Sequence, residues 1–180
     1  MSVATDYMLP EFNQCLWGRA IQIHTAIRAM HQFHEENKRY PETKDNEVIC
    51  EIAGKLAAAA EVEDLNMDTV KAVCAYSQAS ISPLCAFFGG IVAQEVVKAT
   101  GKYTPLKQWM HYDIAECVPA EGNRELMNCR YDDYIRVFGR EVQEKMGAVR
   151  TFMVGAGALG CELIKAFALM GLGCGKDGHI

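Results

Sequence analysis

One run constrains this chain more than any other: Gly155-Ala-Gly-Ala-Leu-Gly160. An apolar stretch over residues 149–154, broken only by Arg150 and Thr151, leads straight into it. A helical pattern of Leu163, Ile164, Phe167, Ala168 and Met170 leaves it. A strand feeding a glycine-rich turn that opens a helix is the fingerprint of a nucleotide- or dinucleotide-binding fold. In such a turn Gly155 permits the sharp corner, Gly157 lets a phosphate approach the backbone, and Gly160 lets the helix pack against the strand. The helix start then offers free N–H groups and a partial positive charge to an anion. Gly155, Ala156, Gly157, Ala158, Leu159 and Gly160 are therefore the candidate nucleotide-binding residues. The acidic residue that would separate a nicotinamide or flavin from ATP is expected about 20 residues on, at the end of the second strand. The sequence stops at Ile180, so on spacing alone ATP and NAD both stay open.

The 180 residues are half hydrophobic, enough for a sizeable core, and carry a formal net charge of −5. That balance argues against a protein held by nucleic-acid phosphates or anionic lipid, which needs clustered cations. The longest apolar stretch, residues 83–93, is short of the roughly 20 residues of a membrane-spanning helix. The opening MSVATDYMLPEF lacks the basic flank and apolar run of a secretory signal. The eight cysteines form no C-x-x-C pair, and most sit in apolar helical patterns. They read as buried free thiols of a cytoplasmic or nuclear protein.

Three amphipathic helices are expected first. One runs from about residue 16 to 37, with Ile23, Ile27, Met30 and Phe33 or His34 on one stripe. The next runs from an N-cap at Asp45 to about Ala60 through Val48, Ile49, Ile52 and Leu56. The third opens near Asn66 with Met67, Val70, Val73, Cys74 and Ser77 on one side. Short polar links suggest an antiparallel bundle. Ser82 and Pro83 then cap a fourth helix, apolar on most faces and so expected to be buried. Gly89-Gly90 in its middle implies close approach of another backbone. Residues 106–115 read as a strand offering Trp109 and Tyr112 for packing, residues 119–123 as a turn-like boundary, residues 141–146 as a short surface helix, and His179-Ile180 as the start of another strand.

Several motifs resemble one family. Residues 130–180, with the R-Y-D opening, V-F-G, Q-E-K, V-G-A-G-A-L-G-C-E-L and G-L-G-C-G in order, resemble the start of the active adenylation domain of ubiquitin-activating enzymes. Upstream, A-M-H-Q-F (residues 29–33), P-L-C-A-F-F-G-G-I-V-A-Q-E-V-V-K-A (83–99), Q-W and D-I-A-E-C-V-P (113–119) resemble the same enzymes, so the likeness runs from about Leu16. It implies an α/β architecture: a helical, four-helix-bundle-like region over residues 1–81, the end of an inactive adenylation domain over 82–120, and the start of the active one over 121–180. Both Rossmann-like, ThiF/MoeB-like domains would be incomplete. It also implies ATP and Mg2+ as cofactors, a ubiquitin or ubiquitin-like modifier as substrate, and a ubiquitin-conjugating enzyme as acceptor. The modifier's C-terminal glycine would be adenylated, moved to an enzyme cysteine as a thioester and passed on. The Mg2+ ligands, the thioester cysteine and the docking domain would lie beyond Ile180, leaving these residues inactive by themselves and the sheet around residues 149–154 poorly held. Two other readings stand beside it: an NAD(P)-dependent Rossmann oxidoreductase, and a non-enzymatic helical interaction module.

Homodimeric relatives of that family open with R-Y-x-R-Q, and their second arginine reaches the partner's ATP. Asp133 and Tyr134 stand in those places here, so this segment should donate no such arginine, and Tyr134 departs even from the ubiquitin-type pattern. Elsewhere, Cys161 in the first turn of its helix reads as a small packing residue rather than a nucleophile. His24, His31 and His34 share related faces of one helix without a cysteine or carboxylate set to complete a metal site. Asp132-Asp133 reads as a capping or solvated pair rather than an acid/base dyad, and Gln94 and Glu95 as groups that bond to neighbouring backbone.

Overall fold

The computed structural model describes residues 18–106 and 109–180, which fall into two compact units. The first holds the residues up to Gln78 together with Thr104–Asp113; the second holds Ala79–Tyr103 and Ile114–Ile180. Among the described residues no helix is long and apolar enough to cross a membrane.

Three helices build the first unit: α1 (Arg19–Asn37), α2 (Asn46–Ala59) and α3 (Met67–Tyr76). Each packs against the other two, because each carries an apolar stripe at three- and four-residue steps. Ala26, Ala29, Met30 and Phe33 of α1 meet Ile49, Ile52 and Ala53 of α2 and Val70 and Cys74 of α3 in one core. The stripes differ from expectation at their margins. Ile27, Leu56 and Val73 are half-buried at the core's edge, Val48 and Met67 are exposed, and Ser77 is exposed. Small alanines take the central places, which lets the helix axes approach closely. The described stretch up to residue 81 thus contains three helices, and the fourth belongs to the second unit. Residues 16 and 17, the expected start of α1, lie outside the described residues, as does Cys15.

The links are fixed by side chains. α1 stops where Lys38 turns left-handed at φ 56°, its N–H bonding to the His34 carbonyl at 2.8 Å. Asp45 does sit at the N-cap position of α2, but its carboxylate makes no cap bond there. It accepts both guanidinium arms of Arg39 at 2.7 and 2.8 Å and the Glu42 N–H at 2.8 Å. The Arg39 hydrogen bonds, followed by the Glu42 amide, hold this carboxyl well below the usual carboxylate range. α3 starts at Met67, next to the expected opening, and is capped by Asn66, whose side chain accepts from Thr69 N–H at 2.9 Å.

No strand forms over residues 109–115, and Ala115–Cys117 is a 3-10 turn; residues 107–108 of that expectation lie outside the described residues. A strand needs a paired neighbour, and here the segment is pinned to α1 by side chains instead. Arg19 Nε donates to Asp113 Oδ2 at 2.5 Å. The His24 and His111 ring nitrogens lie 3.2 Å apart with the rings edge-on, and the Trp109 ring stands edge-on to His24 at 5.3 Å.

The second unit contains α4 (Ser82–Lys98), α5 (Asp132–Phe138), α6 (Arg140–Ala148) and α7 (Ala158–Met170). Ile81, rather than Ser82, occupies the N-cap position of α4, with proline just inside the start. α4 packs on α7, yet none of its residues is buried, contrary to the expectation. Val92, Val96 and Val97 are exposed, and among the described residues nothing lies within 4 Å of a Cβ placed on Gly89 or Gly90. A helix apolar on most faces needs covering on several sides, and α7 supplies one.

α5 and α6 meet at Gly139, and α6 is longer and more deeply seated than a surface helix, with Gln143 and Gly147 buried. The expected boundary loop is tethered to them. Arg140 N–H donates to the Asn123 carbonyl at 2.8 Å, Arg140 Nε to the Glu125 carbonyl at 2.7 Å, and Arg124 Nη2 to the Pro119 carbonyl at 2.6 Å. The expected strand over residues 149–154 reduces to a single parallel bridge, Arg150 with His179. It is made by Thr151 N–H to the His179 carbonyl at 2.9 Å and His179 N–H to the Val149 carbonyl at 3.3 Å. Among the described residues the regular elements are helices, and of the expected α/β sheet this one bridge is present. The bridge keeps the parallel sense of a strand–helix–strand unit around α7, but among the described residues no further strand flanks it, and Phe152 and Val154 are 91% and 86% exposed.

Candidate functional site

The glycine run forms a corner between extended backbone and α7. Gly155 carries φ of +91°, a conformation that side-chain-bearing residues rarely adopt. Gly157 is extended at φ −74° and ψ −163° and serves as the N-cap of α7, its carbonyl accepting the Cys161 N–H at 2.9 Å. Ala158, Leu159 and Gly160 form the first turn. A Cβ on Gly160 would stand 2.5 Å from the Gly155 carbonyl oxygen and 3.5 Å from Met153 Sδ. Helix and incoming chain therefore touch through backbone, as close packing at the third glycine requires.

The inside of the corner is open. Nothing lies within 4 Å of a Cβ built on Gly155 or Gly157. No side chain caps the helix and no acidic residue stands in its first turn. Ala156 and Ala158 add only methyl groups, and Leu159 is exposed. The first-turn amides and the positive end of the helix dipole are left for an anion. A phosphate fits this donor set; a divalent cation does not, because the corner supplies no carboxylate. All six candidate residues lie on this one turn.

The other candidates do not join them. Cys161 is exposed rather than packed away, and its thiol donates to the Ala156 carbonyl at 3.3 Å, bracing the loop. His24 pairs with His111, His34 stacks on Tyr40 at 4.5 Å, and His31 is exposed, so the three histidines serve separate ends. The described residues hold no group of three metal-ligating side chains. Asp132 caps the turn before α5, accepting from Met127 N–H at 3.0 Å and from the Cys129 thiol at 3.5 Å. Burial works against its charge, but the Met127, Cys129 and Asn128 backbone donors outweigh it and hold the carboxyl below its ordinary range. Glu95 bonds to Lys98 at 2.6 Å, and Gln94 is exposed. Of the seven described cysteines, all free, only Cys74 is buried and five are exposed, which corrects the expectation of buried thiols.

Sequence reasoning missed the work of Asp133 and Tyr134. Asp133 Oδ2 accepts the Ser80 N–H and the Tyr134 hydroxyl accepts the Ser82 N–H, each at 3.0 Å. The departure of both residues from the resembled pattern was the available signal.

Residues 131–179 match the model of the ThiF family. Nearly the whole chain, 97%, aligns with ubiquitin-like modifier-activating enzyme 1 of rabbit (Oryctolagus cuniculus) at 36% identity. The same share aligns with ubiquitin-activating enzyme E1 2 of Arabidopsis thaliana at 38% and with ubiquitin-activating enzyme E1 1 of Schizosaccharomyces pombe at 37%. The chain spans about 18% of the length of the rabbit relative and 17% of the Arabidopsis one. These relatives are activating enzymes, and neither the oxidoreductase reading nor the non-enzymatic one finds support among them. Residues 131–179 are thus similar to the ThiF family, whose fold is the Rossmann-like adenylation fold, and the chain over nearly all its length is similar to one stretch of the ubiquitin-activating enzymes.

Proposed function

We propose that these residues are part of an ATP-dependent ubiquitin-activating enzyme and that the corner from Gly155 to Gly160 seats a phosphate of ATP. One observation carries the reading: within the ThiF-matched segment, the first turn of α7 has no side-chain cap, and the space beside Gly155 and Gly157 is open. Backbone donors fixed by the fold stabilise charge without reorganising, which suits a step that is mostly phosphate positioning. Activation of this kind adenylates the C-terminus of ubiquitin or a ubiquitin-like modifier, forms a thioester on an enzyme cysteine and delivers the modifier to a conjugating enzyme. Mg2+ would enter with the nucleotide and take its ligands from outside the corner. On this reading residues 1–81 are the helical region, 82–120 the end of the inactive adenylation domain and 121–180 the start of the active one, in a cytoplasmic and nuclear protein. The 180 residues alone are then inactive in ATP–pyrophosphate exchange.

The test places Gly157→Val in an activating enzyme that carries this stretch. The extended φ and ψ of Gly157 accept a side chain, and valine would occupy the open space beside the first-turn amides. Labelled ATP should bind the parent in a saturable, magnesium-dependent way and the variant far more weakly. Equal affinity would overturn the assignment of the corner to phosphate.

A further inference from the structure

We propose that Asp133 and Tyr134 act as a two-point clasp that positions α4, so that the order of this helix depends on the ThiF-family segment. The inference stands apart from the nucleotide reading. The N-cap position of α4 is Ile81, which has no side-chain acceptor to offer the first amides. Such amides are orphaned unless another group meets them. Here the first helical amide, that of Ser82, and the Ser80 amide just ahead of the N-cap both find acceptors on α5, more than fifty residues along the chain. Ser82 N–H bonds to the Tyr134 hydroxyl and Ser80 N–H to the Asp133 carboxylate, each at 3.0 Å. Between them Ile81 is buried at 6% exposure, and Tyr134, at 3%, is among the most buried residues of its unit.

The clasp matters because it acts where α4 begins. None of the residues of α4 is buried, and among the described helices it packs chiefly on α7. Elements with few buried apolar contacts open locally at low free energy, so two hydrogen bonds at the start raise the cost of fraying there. The seat in question is α7, the helix whose first turn forms the glycine corner. Tyr134 and Asp133 are positioning residues: they touch no ligand and act through α4. Tyr134 stands where the resembled pattern has glutamine, so the clasp is a feature of this sequence rather than of that pattern.

Site-resolved amide hydrogen exchange on the 180-residue chain tests it. Tyr134→Phe keeps the buried ring and removes the acceptor, and Asp133→Ala removes the carboxylate. Each should speed exchange at Ser82 or Ser80 and through the first turn of α4 by about two- to tenfold, the worth of one net hydrogen bond. Amides of α5 and of the α3 core at Val70 and Cys74 should be unchanged. Asp133→Asn, which keeps an oxygen acceptor, should restore most of the protection. Unchanged α4 exchange in both Tyr134→Phe and Asp133→Ala, or equal loosening of α5 and α4, would overturn the clasp.

Discussion

Replacing Gly160 by alanine asks whether the close contact behind the glycine corner is structural. The added methyl would lie 2.5 Å from the Gly155 carbonyl oxygen and 3.3 Å from its carbon. Real contacts of this kind are essentially never shorter than 3.0 Å, so the backbones must separate by at least half an ångström. Neither side yields easily, because Gly155 is held at φ +91° and α7 begins three residues further on. Overpacking of this sort costs about 1–3 kcal/mol, and for a chain of 150–250 residues each kcal/mol lowers Tm by roughly 2–4 °C. Gly157→Ala is the control: its methyl meets nothing within 4 Å, so its cost is limited to the poorer capping by alanine at an N-cap, about 1 kcal/mol or less. Thermal unfolding followed by circular dichroism should show Gly160→Ala melting several degrees below the parent and clearly below Gly157→Ala. Equal melting temperatures for the two variants would refute the close-packed corner.

Two further outcomes follow from the first unit. Burial, and then the Arg28 charge, lower the His24 pKa, and burial, then His24, lowers that of His111. The folded form therefore keeps both rings neutral while the unfolded chain protonates near its ordinary 6.5. Urea unfolding should show stability full above that pH and falling as the solution is acidified through it, and His111→Gln should flatten the dependence. Burial pushes the Cys74 thiol up to about 11, so iodoacetamide at pH 8 should label the exposed Cys85, Cys117 and Cys161 and spare Cys74, as read by mass spectrometry of the peptides.

The parts of the fold legible in the sequence are those decided locally. Periodicity found α1 to α3 and the opening of α3 near Asn66, and the glycine corner could be placed to the residue because its spacing is a short-range steric demand. What failed depends on distant partners. The uniformly apolar α4 reads as buried, but burial requires elements that cover it, and residues 149–154 read as a strand, but a strand is defined by its neighbour. The bonds from Asp133 and Tyr134 to the start of α4 and from His24 to His111 join positions more than fifty residues apart, with no periodic trace. The six candidate residues were legible as a set, whereas the bracing by the Cys161 thiol was not.

The extended stretch ahead of the glycine corner carries a cost for anyone handling these residues by themselves. With pairing only at Arg150 and His179, and with Phe152 and Val154 standing out in water, its backbone is a ready template for a second molecule to add to, edge against edge. Self-association should therefore rise with concentration, and Phe152→Lys should do more to keep the chain dispersed than any change in the helical core.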